Sequence, residues 1–208
     1  MMTAPITYSF NLTSGSLLLA ETKEFASSYL QTKDWDQSRG ILLTQSPYRT
    51  WKKETFRKKF TLIRRRLGHL SDPLLTLAIQ NEAVGPSIFY LAACEEHLIL
   101  ADFVLEVVRD HYLQFRREIT NEDISVFFLQ KMDEHPEIEN MTRNTLTKVK
   151  QVMVRILAET GIFGSSSDRI ITKPYITHKL ALTLLQENSQ YLRYLLWSDP
   201  EIEKLMEH

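Results

Sequence analysis

Between Arg49 and Arg66 the chain sets nine basic residues, Arg49, Lys52, Lys53, Arg57, Lys58, Lys59, Arg64, Arg65 and Arg66, against a single acid, Glu54. Long cationic donors at this density suit a run of phosphates, because Lys and Arg neutralise backbone charge without reading base sequence. The apolar residues among them, Phe56, Phe60, Ile63 and Leu67, recur at i, i+4, i+7 and i+11, which predicts a helix over 50–67 with one buried stripe. At about 100° per residue, Lys53, Arg57 and Arg64 flank that stripe on one side. Lys52, Lys59 and Arg66 flank it on the other, and Lys58 and Arg65 oppose it. A solvated helix ordinarily interleaves Glu with Lys at i, i+4; here only Glu54 does so. Three partners answer to such charge: a nucleic acid, an acidic protein surface (the chain's own 118–141 segment included), or an anionic membrane. Trp51 falls off the stripe near Lys58, where it either stacks on a base or packs on a neighbouring element.

A second pattern lies further along. Asn144, Thr147, Lys148, Gln151 and Arg155 fall at i, i+3, i+4, i+7 and i+11, opposite the apolar Leu146, Val149, Met153 and Ile156. These residue types reach phosphates and base edges in a major groove, and an ordinary solvated face has the same make-up. A helix predicted from Asn121 to about Met132 precedes this one, and a hairpin-like stretch, Ile162 to Ile171, follows it. That order suggests a winged helix-turn-helix, with Arg169 and Lys173 on or beside the wing. The connection from His135 to Met141 is longer than the usual tight turn.

Catalytic patterns are missing from the sequence. It holds no Gly-rich phosphate loop, no nucleophile elbow and no His-Glu-x-x-His. Cys94 and His97 supply two ligands at most, and a core Cys is the simpler reading. Glu106 and Asp110 stand at i, i+4 but read as a solvated or ion-paired face. The expectation is no enzyme, no cofactor and no metal.

The elements that must position these groups are helices nearly throughout. Gly and Pro number only 6 and 7 in 208 residues, and apolar periods near 3.6 recur along the chain. After an extended lead over Tyr8 to Asn11, helices are predicted at about 17–30, 34–43, 50–67, 71–80, 85–96, 98–115, 121–132, 142–159 and 177–194, with a last one from Asp199. Ser46-Pro47 is an expected break, Ser71-Asp72-Pro73 an expected start, and Thr120 with Asp123 an expected capping box. The expected fold class is all-α, with at most a minor hairpin. Two closely packed parts are expected, 1–84 with the basic helix and 85–208 around the apolar 87–115 region, forming one globule.

The formal charge of −1 conceals a division of charge along the chain. The 49–66 segment carries +8, which leaves −9 for the remainder, and 118–141 alone carries seven acids against Lys131. Such segregation shapes a local field more than the total does. One Cys excludes a disulfide framework, and the longest apolar run, Ile88 to Cys94, is far short of the roughly 18 residues that span a bilayer. No basic n-region precedes the Ser16 to Ala20 run, so no secretory signal is expected. The expectation is a soluble cytoplasmic protein without membrane contact.

Several segments, taken in order, resemble one family. They are Thr7 to Gly15 with Leu17 to Glu21; Asp34-Trp35-Asp36; Arg64 to Leu67 with Leu70-Ser71-Asp72; His135 to Glu139; and Thr142 to Leu146 through Leu157 to Gly161. Together they are similar to the BrxA family of bacteriophage exclusion (BREX) defence systems. The resemblance implies an all-helical protein with two helix-turn-helix elements that binds double-stranded DNA. It also implies work beside a methyltransferase, an ATPase and a phosphatase-like protein, without catalysis of its own. The family supplies no sharply defined catalytic set to transfer, and the DNA contacts are read from the residues themselves. The candidate DNA-binding residues are therefore the nine cations of 49–66 together with Asn144, Thr147, Lys148, Gln151, Arg155 and Arg169. The expected partners are duplex DNA and other BREX proteins, with the chain acting as a monomer. An assembly adaptor for an acidic protein and an RNA-binding protein are the alternatives.

Overall fold

The computed structural model describes Tyr8, residues 11–45 and residues 47–207. Part of the extended lead expected over Tyr8 to Asn11, and Ser46 of the expected break, lie outside the described residues. The helices begin where the sequence supplies a cap. Helix α1 (Leu19–Thr32) starts two residues later than its periodicity predicts, because Leu18 takes a left-handed conformation at φ 52°. The Asp34 carboxylate accepts from the Asp36 and Gln37 amides and opens α2 (Trp35–Thr44). A 3-10 turn, Tyr48–Thr50, leads to α3 (Lys53–Leu67). Ser71 caps α4 (Asp72–Gln80), with Pro73 in its first turn, and α5 runs from Gly85 to Glu96.

These five helices form one unit, Ser14–Glu96. Its centre is aromatic: the Phe25 ring lies 5.2 Å from Tyr48, 5.9 Å from Phe56 and 5.6 Å from Phe60. Every residue from Ser87 to Cys94 of α5 is buried, as a helix apolar on all sides requires. The N-terminus of α5 comes so close to α4 that a Cβ on Gly85 would stand 2.6 Å from the Ala78 carbonyl oxygen. Only glycine permits that approach.

The other unit is built from His97 onward, together with Tyr8 and residues 11–13. An uninterrupted helical run comprises α6 (Leu98–Phe103), a π turn (Val104–Arg109) and α7 (Asp110–Leu113). Then come α8 (Asn121–Glu134), α9 (Pro136–Glu139) and α10 (Arg143–Thr160). The chain continues through α11 (His178–Glu187), α12 (Gln190–Tyr194) and α13 (Asp199–Met206). The predicted capping box closes α8 at both groups: Thr120 Oγ1 accepts from the Asp123 amide, and the Asp123 carboxylate accepts from the Thr120 amide. Thr142 caps α10, and Gly161 ends it in the left-handed conformation at φ 83°.

Lys131 of α8 is buried and donates to Asp102 at 3.2 Å and Glu106 at 2.6 Å, one turn apart on the α6 run. Burial pulls its pKa down, but the hydrogen bond to Glu106 and the Asp102 charge outweigh it and hold the ammonium above its ordinary value. Tyr8 donates its hydroxyl to the same Asp102.

The fold is all-α. Among the described residues, extended pairing is confined to two antiparallel bridges, Glu118 with Ile170 and Phe163 with Ile171. No helix among them is long and apolar enough to cross a membrane.

Candidate nucleic-acid interface

Helix α3 buries Phe56, Phe60, Ile63 and Leu67 as its periodicity predicts, and Leu62 and Arg66 as well. Arg66 corrects the expected site. It is 3% exposed, and its guanidinium donates to the carbonyl oxygens of Ser16 at 2.5 Å and Gly15 at 3.1 Å. Those carbonyls precede α1, and a buried cation donates to them. Arg66 holds the fold and does not face a phosphate.

The remaining cations sort by what acid they meet. Lys59 is half-buried, 2.9 Å from Glu21, with its ammonium 4.3 Å from the centre of the Trp51 ring. Arg57 and Lys58 share Glu54, at 2.8 and 3.5 Å. The Arg57 hydrogen bond lowers the Glu54 pKa, so that pair stays charged. Arg65 lies 3.6 Å from Glu96, which also meets His69. Arg49, Lys52, Lys53 and Arg64 are exposed, and no acid among the described residues reaches them.

Trp51 is not on the helix at all. The 3-10 turn places it in extended backbone at ψ 147°, where its ring packs edge-on against Tyr48 at 5.0 Å. The packing reading of this residue is the one the structure supports.

A cleft of 290 Å³ opens between α2 and α3, lined by Asp36, Arg39, Arg57, Phe60, Thr61, Arg64 and Arg65. Arg39 escapes sequence reasoning because it stands alone in α2, outside the basic run.

The second region is organised by α10. Asn144, Thr147, Lys148, Gln151 and Arg155 are all exposed, and Val149, Met153 and Ile156 are buried beneath them; Leu146 is only half-buried. The 162–172 stretch folds back, with Ser165 N–H donating to Asp168 O at 2.9 Å and Thr172 N–H to Ile162 O at 2.8 Å. Its returning arm also pairs with residues ahead of α8, through Ile119 N–H to Arg169 O at 3.1 Å and Ile171 N–H to Arg117 O at 2.6 Å. That third arm gives no sequence signal, since only Ile119 of 117–119 is buried.

Between this hairpin, α10 and the start of α8 lies a 690 Å³ hollow. It gathers Lys148, Gln151, Arg155 and Arg169 of the expected site, and adds Lys150, Ser125 and Ser166. Asn144 and Thr147 sit outside its lining. None of its lining residues is acidic. Arg155 lies 3.8 Å from Glu159, outside the hollow. Lys150 is half-buried over the Phe128 ring at 5.0 Å, and burial lowers its pKa. Lys173 is drawn away from the hairpin, 2.7 Å from Glu201 and 4.6 Å over Trp197.

Three acids of this unit are engaged. Asp123 caps α8 and meets Arg116; Glu106 holds Lys131; Glu137 accepts the Tyr8 amide at 2.9 Å. Glu106 pairs with Lys131, and Asp110 accepts from Gln114, which fits the ion-paired, solvated face expected for these two acids.

Comparison with known proteins places this architecture. A family model described as BrxA matches residues 6–188. The BREX protein BrxA of Paramagnetospirillum magneticum (strain AMB-1) is 24% identical over 186 residues, spanning 89% of this chain and 94% of that protein. The BREX protein BrxA of Escherichia coli O9:H4 (strain HS) is 23% identical over 193 residues, spanning 89% of this chain and 88% of that one. Among solved structures, an uncharacterized protein from Magnetospirillum magneticum superposes with a TM-score of 0.77 at 22% identity, covering 92% of this chain and 98% of its own. That likeness shows the fold.

Proposed function

The chain belongs to the BrxA family of BREX phage-defence proteins, and from that premise we propose that it binds double-stranded DNA without catalysing a reaction on it. The observation that carries this reading is the set of exposed cations at Arg49, Lys52, Lys53 and Arg64, which no acid among the described residues reaches. Unoffset like charge costs stability, and a phosphate backbone removes that cost while gaining counterion release. We read α2 and α3 as one helix-turn-helix. We read α8 to α10 with the 162–172 hairpin as a second, winged one, whose Lys148, Gln151, Arg155 and Arg169 touch backbone at another place. The protein acts as a cytoplasmic monomer beside other BREX proteins. Contacts of this kind position without specifying, so preference for one base sequence is low and no palindrome is required.

A duplex-binding titration at several salt concentrations tests the reading. The logarithm of affinity should fall with the logarithm of salt at about −0.9 per phosphate neutralised. An adaptor for an acidic protein would instead leave the duplex unshifted and keep its partner after nuclease treatment. Structured RNA competing better than duplex DNA would overturn the choice of nucleic acid.

A further inference from the structure

The basic run explains α3, but it leaves α2 unexplained. Asp36, Arg39, Gly40 and Leu43 fall at i, i+3, i+4 and i+7, a single exposed stripe, and its first two members line the cleft against α3. Glycine in the interior of a ten-residue helix is costly, because it surrenders more backbone freedom than any other residue. Such a glycine is usually kept for an unusual φ or for close approach. Gly40 has neither reason inside this protein: it is helical, and a Cβ built on it meets nothing within 4 Å. The fold would accept a side chain here.

Four arginines line a cleft of 290 Å³, and one of them, Arg39, is the α2 residue next to that bare backbone. Arg57 is held by Glu54, and Arg65 is near Glu96, but no acid among the described residues reaches Arg39 or Arg64. Asp36 is the only acid in the lining. Arginine forks match phosphate oxygens in pairs, which a lysine cluster does not do.

We propose that the α2–α3 cleft is a phosphate-binding site that seats the sugar-phosphate backbone of one DNA strand, with Arg39 and Arg64 clamping a phosphate and Gly40 letting the strand lie against the α2 backbone. The proposal rests on the duplex-binding reading and adds α2 to it. A side chain at position 40 would hold the strand off the clamp, and loss of the Arg39 charge would leave one phosphate without its partner.

The test uses the full chain with a fluorescently labelled duplex of arbitrary sequence, at two salt concentrations, with thermal unfolding of each variant alongside. Arg39→Gln should weaken binding about tenfold and make the salt slope shallower by about 0.9. Gly40→Ala should raise Tm by about 1–4 °C, because helix propensity improves, yet bind less tightly. Gly40→Gln should bind more weakly still, without falling below wild type in Tm. Stability rising while affinity falls is the signature that a purely structural glycine cannot give. A Tm lowered by Gly40→Ala overturns the proposal, since the fold would then need the glycine. Wild-type affinity and slope in both Arg39→Gln and Gly40→Gln overturn the cleft alone, while wild-type protein that ignores the duplex overturns the parent reading with it.

Discussion

Helices α3 and α10 both turn a cationic face outward, yet they are made differently. On α3 the charge is dense and local: acids at Glu21, Glu54 and Glu96 engage Lys59, Arg57, Lys58 and Arg65, and the surplus remains exposed. On α10 the charge is sparse, and the fold assembles it, bringing Arg169 from the hairpin to join Lys148, Lys150 and Arg155 around one hollow. The first face draws its field from sequence. The second draws it from the fold, which sets no acid in the lining of that hollow. The residues lining a surface shape its local field more than the net charge of the segment around it does.

The comparison breaks most visibly if the dense face is inverted. Changing Arg57, Arg64 and Arg65 together to Glu should weaken duplex binding by about 1,000-fold, because each reversal swaps attraction for repulsion at a phosphate. All three are exposed, so circular dichroism and Tm should stay near wild type. Binding that survives would place the interface elsewhere.

Arg66 sharpens the contrast within α3 itself. Arg66→Met should cost about 2–3 kcal/mol in denaturant unfolding, because the Ser16 and Gly15 carbonyls lose their donors. Its folded fraction should bind duplex as wild type does. A loss of affinity with full stability would return Arg66 to the interface.

These two variants mark how far sequence reasoning reaches. Where a signal is local, it is legible: the capping box at Thr120 and Asp123, the Ser71 start, the Gly161 stop and the buried α5 all depend on residues within a few positions of one another. The α3 stripe is legible for the same reason. Arg66 is not, because its partners lie 50 and 51 positions away and a cation's type does not reveal which carbonyls need a donor. Trp51 defeats a helical wheel because the helix starts only at Lys53, two residues beyond it. The 117–119 arm of the hairpin is invisible, since one bridge leaves no alternation to read. Arg39 gives no signal because its significance depends on the helix packed beside it.

A smaller effect tests whether the assembled face binds at all. Lys148→Ala with Arg155→Ala should weaken duplex affinity about tenfold and make the salt slope shallower by about 0.9 for each phosphate no longer neutralised. Unchanged affinity would leave α3 as the sole DNA site and the α8–α10 region as scaffold.

The finest distinction concerns Lys150, a cation of the hollow whose charged form burial disfavours. Its folded pKa lies below the ordinary lysine value of about 10.4, so folding penalises the charged form. That penalty is full below the lowered value and fades as pH rises from it towards the ordinary one. Among the described residues no acid pairs with it, and the ammonium lies over the Phe128 face. Lys150→Met should therefore leave Tm unchanged or slightly higher at neutral pH, with the aliphatic stem's packing preserved. Its duplex affinity should fall only about two- to fivefold, as expected when a single partly shielded phosphate partner is removed. An anion seated in the hollow would favour the charged amine and raise its pKa, so wild-type affinity should decline on the alkaline side before that of Lys150→Met does. Parallel titrations of the two proteins from neutral to alkaline pH compare those profiles directly. Superimposable curves would mean that Lys150 lies beside the bound strand without touching it, leaving Lys148, Arg155 and Arg169 to hold the backbone.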